Sequence, residues 1–78
     1  MRVYPSNEYY RTFWAAPEPV RETLTRNLLD ILSRGAARTY AEDLRSHIID
    51  NWFVHFRYPK AGEEYEPNSY VLVRVVEE

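Results

Sequence analysis

Two histidines, His47 and His55, are the first groups to weigh, because imidazole is the usual general base and metal ligand at neutral pH. Neither lies in an HxxxH or HxxE arrangement, so a zinc site would need ligands gathered from distant parts of the chain. Adjacent carboxylates occur at Glu42-Asp43 and Glu63-Glu64. Acid/base catalysis needs two carboxyls in unlike environments. A helix dipole explains the first pair and solvation the second. Ser6, Ser33, Ser46 and Ser69 lie in no nucleophile motif, and Gly35 and Gly62 stand alone, so no phosphate-cradling loop is present. There is no cysteine, hence no thiolate nucleophile, thiolate metal site or disulfide framework. The residues spell out no catalytic site, and neither a metal nor a cofactor is expected.

What remains is a surface chemistry of recognition. The chain carries seven Tyr, three Phe and two Trp, more large rings than one small core encloses easily. Tyr and Trp are favoured at binding hot spots, although Tyr also tolerates half-exposed sheet positions. Three tyrosines, Tyr58, Tyr65 and Tyr70, flank or occupy the stretch Pro59 to Ser69, which also holds Glu63, Glu64 and Glu66. Such a loop between two strands is either a recognition element on a rigid scaffold or a plain solvated connection. On the first reading the contact surface is Tyr58, Glu63, Glu64, Tyr65, Glu66 and Tyr70.

Charge narrows the choice of partner. Residues 1–39 carry six Arg against four acids, and residues 40–78 carry four basic residues against eight acids. That balance argues against general nucleic-acid binding and suits a basic protein surface. No apolar run approaches the roughly 18 residues of a membrane span, and the start of the chain does not read as a signal peptide. A cytoplasmic protein is expected.

The elements that must position these groups follow from spacing. MRVYP reads as a short extended segment. Ser6 reads as an N-cap opening a helix over Asn7 to Ala16, with Tyr9, Phe13 and Ala16 on one side and Tyr10 and Trp14 beside them. Pro19 to Arg34 is a second helix, since Val20, Leu24, Leu28, Ile31 and Leu32 recur at three- and four-residue intervals. Glu22 with Arg26 and Asp30 with Arg34 are acid-before-base pairs on its wet side, and Gly35 reads as its stop. A third helix is expected from Thr39, where Thr39 and Glu42 form a capping box and Tyr40, Leu44 and Ile48 follow at four-residue spacing. It fades at Asp50-Asn51, or extends through Phe56. WFVHFRY and YVLVRVV alternate as strands of an antiparallel hairpin with a long connection. The fold class is therefore α+β: one domain of two to three helices on one face of a small antiparallel sheet, ending in a β-hairpin. If the last strand is a sheet edge, it offers a route to a homodimer.

The order of short strand, helix pair and sheet resembles the RelE/ParE-type toxins of bacterial toxin–antitoxin pairs. The matching residues are MRVY, Phe13, Pro17, Val20-Arg21, Leu24, Leu28 and Ile31, with WFVHFRY and YVLVRVV as sheet strands. The resemblance covers about the N-terminal two-thirds of the chain. It implies a ribosome-dependent mRNA-cleaving toxin or an inactive relative, with His55, Arg57 and Arg74 as the positions that carry over. The acidic balance and the ending VRVVEE depart from that pattern. The reading preferred on charge and composition is a non-enzymatic protein-interaction domain, an inhibitor or regulator of a larger macromolecular assembly, of the kind phages and mobile elements encode.

Overall fold

A computed structural model describes residues 2–36 and 43–78. The elements run β1 (Val3–Pro5), α1 (Asn7–Ala15), α2 (Glu18–Ala36), β2 (Leu44–Ile49), β3 (Trp52–Arg57) and β4 (Tyr70–Glu77). The four strands form one sheet in the order β1-β4-β3-β2. β2/β3 and β3/β4 are antiparallel, whereas β1 runs parallel to β4 with Val3 opposite Tyr70 and Pro5 opposite Leu72. The sheet is thus mixed rather than purely antiparallel. A parallel neighbour requires a crossover, and the two helices between β1 and the rest of the sheet supply it.

Ser6 does three things where β1 turns into α1. Its hydroxyl accepts the Tyr9 N–H at 3.0 Å as the helix cap. The same hydroxyl donates to the Val73 carbonyl at 3.0 Å, and the Ser6 N–H donates to the Leu72 carbonyl at 3.0 Å. Two turns on, the Thr12 hydroxyl accepts the Val75 N–H at 2.9 Å. β1 ends at Pro5, so these bonds pair the edge of β4 that β1 no longer covers. The final strand is therefore an interior strand, with β3 on one side and β1 and α1 on the other. The expected route to a homodimer along its edge is closed.

α2 buries Val20, Leu24, Ile31 and Leu32, the stripe read from spacing, with Leu28 packed partly against it. The anticipated pairs form at 2.6 Å for Glu22–Arg26 and 3.5 Å for Asp30–Arg34. Both are exposed, so neither adds much stability. Asn27 breaks the helical geometry with φ −124° and ψ 25°. Gly35 does not stop the helix: it lies inside α2, buried against Arg45 and Ser46 of β2 and the Phe56 ring.

The expected third helix is corrected to a strand over Leu44–Ile49. Leu44, Ser46 and Ile48 are buried while Arg45 and His47 are exposed, the period-two pattern of a strand with one covered face. A four-residue spacing such as Leu44 to Ile48 is a multiple of both periodicities, so it cannot separate them. The Thr39–Glu42 capping box lies outside the described residues. Asp50 (φ 51°) and Asn51 close the β2–β3 hairpin, and a bulge falls between His47 and Ile49.

One cluster holds the helices to the sheet: Tyr9, Ala16, Val20, Leu24, Ile31 and Leu32 meet Leu44, Ile48, Val54, Phe56, Tyr70, Leu72 and Val75. The helices cover one face only. Arg45, Phe53, His55 and Arg57 alternate with the core residues of β2 and β3 and so lie on the other face.

Candidate protein-interaction surface

The connection from Tyr58 to Ser69 begins at Arg57, the last residue of β3, and that residue organises it. The Arg57 guanidinium meets Glu63 in a two-pronged ion pair, Nη1 to Oε1 at 2.7 Å and Nη2 to Oε2 at 2.9 Å. Glu63 Oε1 also accepts the Lys60 N–H at 2.6 Å, and the Glu63 N–H returns a bond to the Lys60 carbonyl at 3.1 Å. The turn so closed contains Gly62 at φ 91°, a conformation that a side chain would strain. Downstream, Asn68 takes φ 61°, the Ser69 hydroxyl donates to the Glu66 carbonyl, and the Tyr70 N–H donates to the Arg2 carbonyl at 3.0 Å. These bonds hold the connection at both ends.

The six residues read from the sequence divide into three groups. Glu64, Tyr65 and Glu66 face outward. The Tyr65 ring rests on Tyr4 of β1 at 4.5 Å between centroids and is still 37 % exposed. Glu66 lies 3.6 Å from Arg2, with both side chains exposed. Glu63 belongs to the clamp on Arg57. Tyr58 and Tyr70 pack together at 5.7 Å as the floor of the connection, and Tyr70 meets Phe56 edge-on at 5.3 Å. Tyr70 is buried in the core, where burial and then its neighbour Tyr58 raise its hydroxyl above the ordinary value. It supports the surface from beneath instead of forming it. Sequence position places all six in one stretch, but only the geometry separates the floor from the face.

The clamp has a consequence for pH. Hydrogen bonding from Arg57, then from the Lys60 N–H, lowers the Glu63 carboxyl from 4.5 to about 2. A carboxyl lowered on folding is held ionised by the native structure, so its contribution is present above the ordinary carboxylate range and lost as pH falls toward 2. The clamp should therefore survive to about pH 2–3, well below where a free glutamate protonates. The amide proton shift of Lys60, followed by NMR, should titrate with a midpoint near 2, and this step should vanish in Glu63→Gln. A midpoint near 4.5 would mean that Glu63 is not clamped.

The remaining titratable groups lie on the sheet and α1. His47 Nε2 lies 2.6 Å from the Asp50 carbonyl, with its ring against Phe53 at 5.4 Å. His55 Nε2 is 3.8 Å from Glu78 Oε2, and the same residue's Oε1 accepts from Arg45 at 2.8 Å. Arg74 Nε donates to Glu8 Oε2 at 2.8 Å, which lowers the Glu8 carboxyl and raises Arg74. Arg45 and Arg74 thus meet carboxylates of this chain, whereas the buried His55 Nε2 makes no hydrogen bond with a described residue. Among the described residues, no set of three His, Cys, Asp or Glu side chains converges on a metal position. No helix among them is long and apolar enough to cross a membrane.

The structure also exposes rings that spacing passed over. Trp14 is 68 % exposed and Tyr10 51 %, both on α1. They stand to one side of the Tyr9–Phe13–Ala16 stripe, and that offset was the available signal. Compared with models of protein families, with characterised proteins and with solved structures, the chain matches none.

Proposed function

We propose that this chain is a small non-enzymatic interaction domain, an inhibitor or regulator acting in the cytoplasm that binds a larger macromolecular assembly through the β3–β4 connection. The observation that carries the reading is the clamped geometry of that connection. Arg57 and Glu63 fix its first half, and Tyr4 supports Tyr65, while Glu64, Tyr65 and Glu66 remain outward. A loop already ordered before binding loses little freedom on association, which leaves more of the contact energy as affinity. An aromatic ring between two carboxylates suits a basic protein surface, with the ring as anchor and the acids setting register and encounter rate.

The test is to capture partners from lysate of the native host with the wild-type chain and with a Glu64→Lys, Tyr65→Ala, Glu66→Lys variant. The variant should lose the partner or bind it at least about tenfold more weakly, the scale of one interface hot spot plus reversed rim charge. Its thermal unfolding midpoint should fall only slightly, because the three side chains lie outside the core and only the Tyr65–Tyr4 ring contact and an exposed Glu66–Arg2 pair are lost. Undiminished capture by the variant would remove the connection from the proposal.

A second reading, a toxin of the RelE/ParE kind or its inactive relative, is favoured by one observation. His55 and Arg74 are direct neighbours across β3 and β4, with Arg57 two residues along. Both arginines are engaged by carboxylates of this chain, which suits an inactive relative better than a site awaiting an anionic substrate. Recovery of ribosomes or of a cognate antitoxin by the same bait would move the assignment there.

A further inference from the structure

We propose that His55 and Glu78 form a proton-operated latch on the open face of the sheet, fastening the end of β4 when the imidazole is charged and releasing it when the imidazole is neutral. His55 stands in the middle of a row of three basic residues across three strands, with Arg45 opposite it on β2 and Arg74 opposite it on β4. Among the described residues, its Nε2 is the one buried side-chain nitrogen or oxygen without a hydrogen-bond partner. Leaving such an atom unpaired is costly, so its place in a titratable ring calls for a reason. The Glu78 carboxylate supplies one. Its Oε1 accepts from Arg45 at 2.8 Å, and its Oε2 lies 3.8 Å from His55 Nε2. A neutral imidazole with its hydrogen on Nδ1 presents only a lone pair to that carboxylate. A proton on Nε2 turns the same atom into a charged donor, and an approach of about 1 Å then makes a charge-assisted bond.

The groups around His55 make Glu78 the deciding partner. Arg74 is held by Glu8 of α1 at 2.8 Å, and Arg57, two residues along β3, is held by Glu63. Asp43, just ahead of β2, lies within electrostatic reach of Arg57 and Arg74. Arg45 shares Glu78 with His55. Each guanidinium beside the ring is thus offset by a carboxylate, and the imidazolium has one acceptor within reach. His47 is separate, its Nε2 at the Asp50 carbonyl and its ring against Phe53. The backbone links the latch to the rest of the sheet, because the Glu78 N–H donates to the Asn51 carbonyl at 2.8 Å, in the turn between β2 and β3. Closing the latch therefore ties the end of β4 to β3 directly, to β2 through Arg45, and to the β2–β3 turn. Imidazoles as a class change charge between pH 5 and 8. A group that gains its partner on protonation contributes at the acid end of that window, and the contribution is lost as pH rises through it.

The latch does not depend on what the β3–β4 connection binds, so it is tested on the chain alone, by NMR across pH 5 to 8. The ring protons of His55 report its proton affinity, and the heteronuclear NOE of the Glu78 amide reports order at the end of β4. In the wild-type chain that NOE should rise on acidification with the same midpoint as the His55 ring. Glu78→Gln should lower the proton affinity of His55 about threefold or more, the scale of one partly exposed ion pair, and leave that of His47 unchanged. His55→Phe should abolish the pH response of the Glu78 amide, whereas His47→Gln should keep it. His55 and Glu78 lie outside the core, so these variants should keep the fold. A His55 proton affinity that is the same in Glu78→Gln as in wild type would overturn the inference. So would a Glu78 amide whose order is constant across the titration, or one that responds equally in His55→Phe.

Discussion

Replacing Phe56 by Ala should remove about 3–5 kcal/mol of stability, the cost of deleting a large ring from a packed interior. The ring is 1 % exposed and sits where the molecule's layers meet. Across the sheet, Phe56 is paired with Leu44 on β2 and Leu72 on β4, both buried on the same face. Its edge meets Tyr70 at 5.3 Å, and from above α2 brings Gly35 against it. Truncation opens a cavity bounded by two strands and a helix, none of which can collapse into it without breaking the sheet register. A domain of this length has a total stability of roughly 4–12 kcal/mol, so the loss takes much of what is available. Urea unfolding followed by circular dichroism should show a midpoint far below wild type, or a chain largely unfolded in buffer. The loss should also disturb the proposed interaction surface, because Tyr70 and Tyr58 rest on this ring in sequence. A variant within about 1 kcal/mol of wild type would show that the core is not organised around Phe56.

How much of this was legible before the structure depends on whether a contact is local or distant. The α2 stripe was read correctly because Val20, Leu24, Ile31 and Leu32 repeat at the helical period and no other. β3 and β4 were legible because Val54 and Phe56 alternate with Phe53, His55 and Arg57, and because Pro59, Gly62 and Pro67 mark the connection. β2 was misread because Leu44 and Ile48 stand four apart, a distance that a helix turn and two strand pleats share. The parallel pairing of β1 with β4 joins Val3 to Tyr70 across nearly the whole chain, and no local pattern records such a contact. The β3–β4 connection shows the same division. Its acids and tyrosines were visible as composition, but the clamp joins Arg57 to Glu63, six residues on, through a turn that spacing does not encode. Tyr70 and Tyr65 look alike in sequence, yet one lies beneath the surface and the other upon it.

Gly35→Ala should destabilise the protein, against the usual direction of that change. Within a helix, Ala is favoured over Gly by about 1 kcal/mol, because the unfolded chain loses freedom and the helix does not suffer. Gly35 lies inside α2, so local propensity alone forecasts a gain. Tertiary packing reverses it. A Cβ at this position would lie 2.8 Å from the Arg45 carbonyl oxygen, 2.9 Å from the Ser46 Cβ and 3.0 Å from the Phe56 Cε1. The first two belong to β2, and Ser46 is further tied to α2 because its hydroxyl donates to the Ile31 carbonyl. Relief therefore requires α2 and β2 to separate, which loosens Ile31, Leu32, Leu44 and Phe56 together. Overpacking of this kind costs about 1–3 kcal/mol beyond the lost propensity gain. For a domain of this size each 1 kcal/mol lowers the melting temperature by about 4–8 °C, so calorimetry resolves the sign without difficulty. In a Phe56→Leu background the penalty should largely remain, because the closest obstacle is a strand carbonyl and not the ring. Near-complete relief there would place the obstacle in the ring, and a raised melting temperature in the single variant would mean that α2 does not approach β2 this closely. The glycine is thus required by the distance between a helix and a strand, although its position near the helix end gave it the appearance of a stop signal.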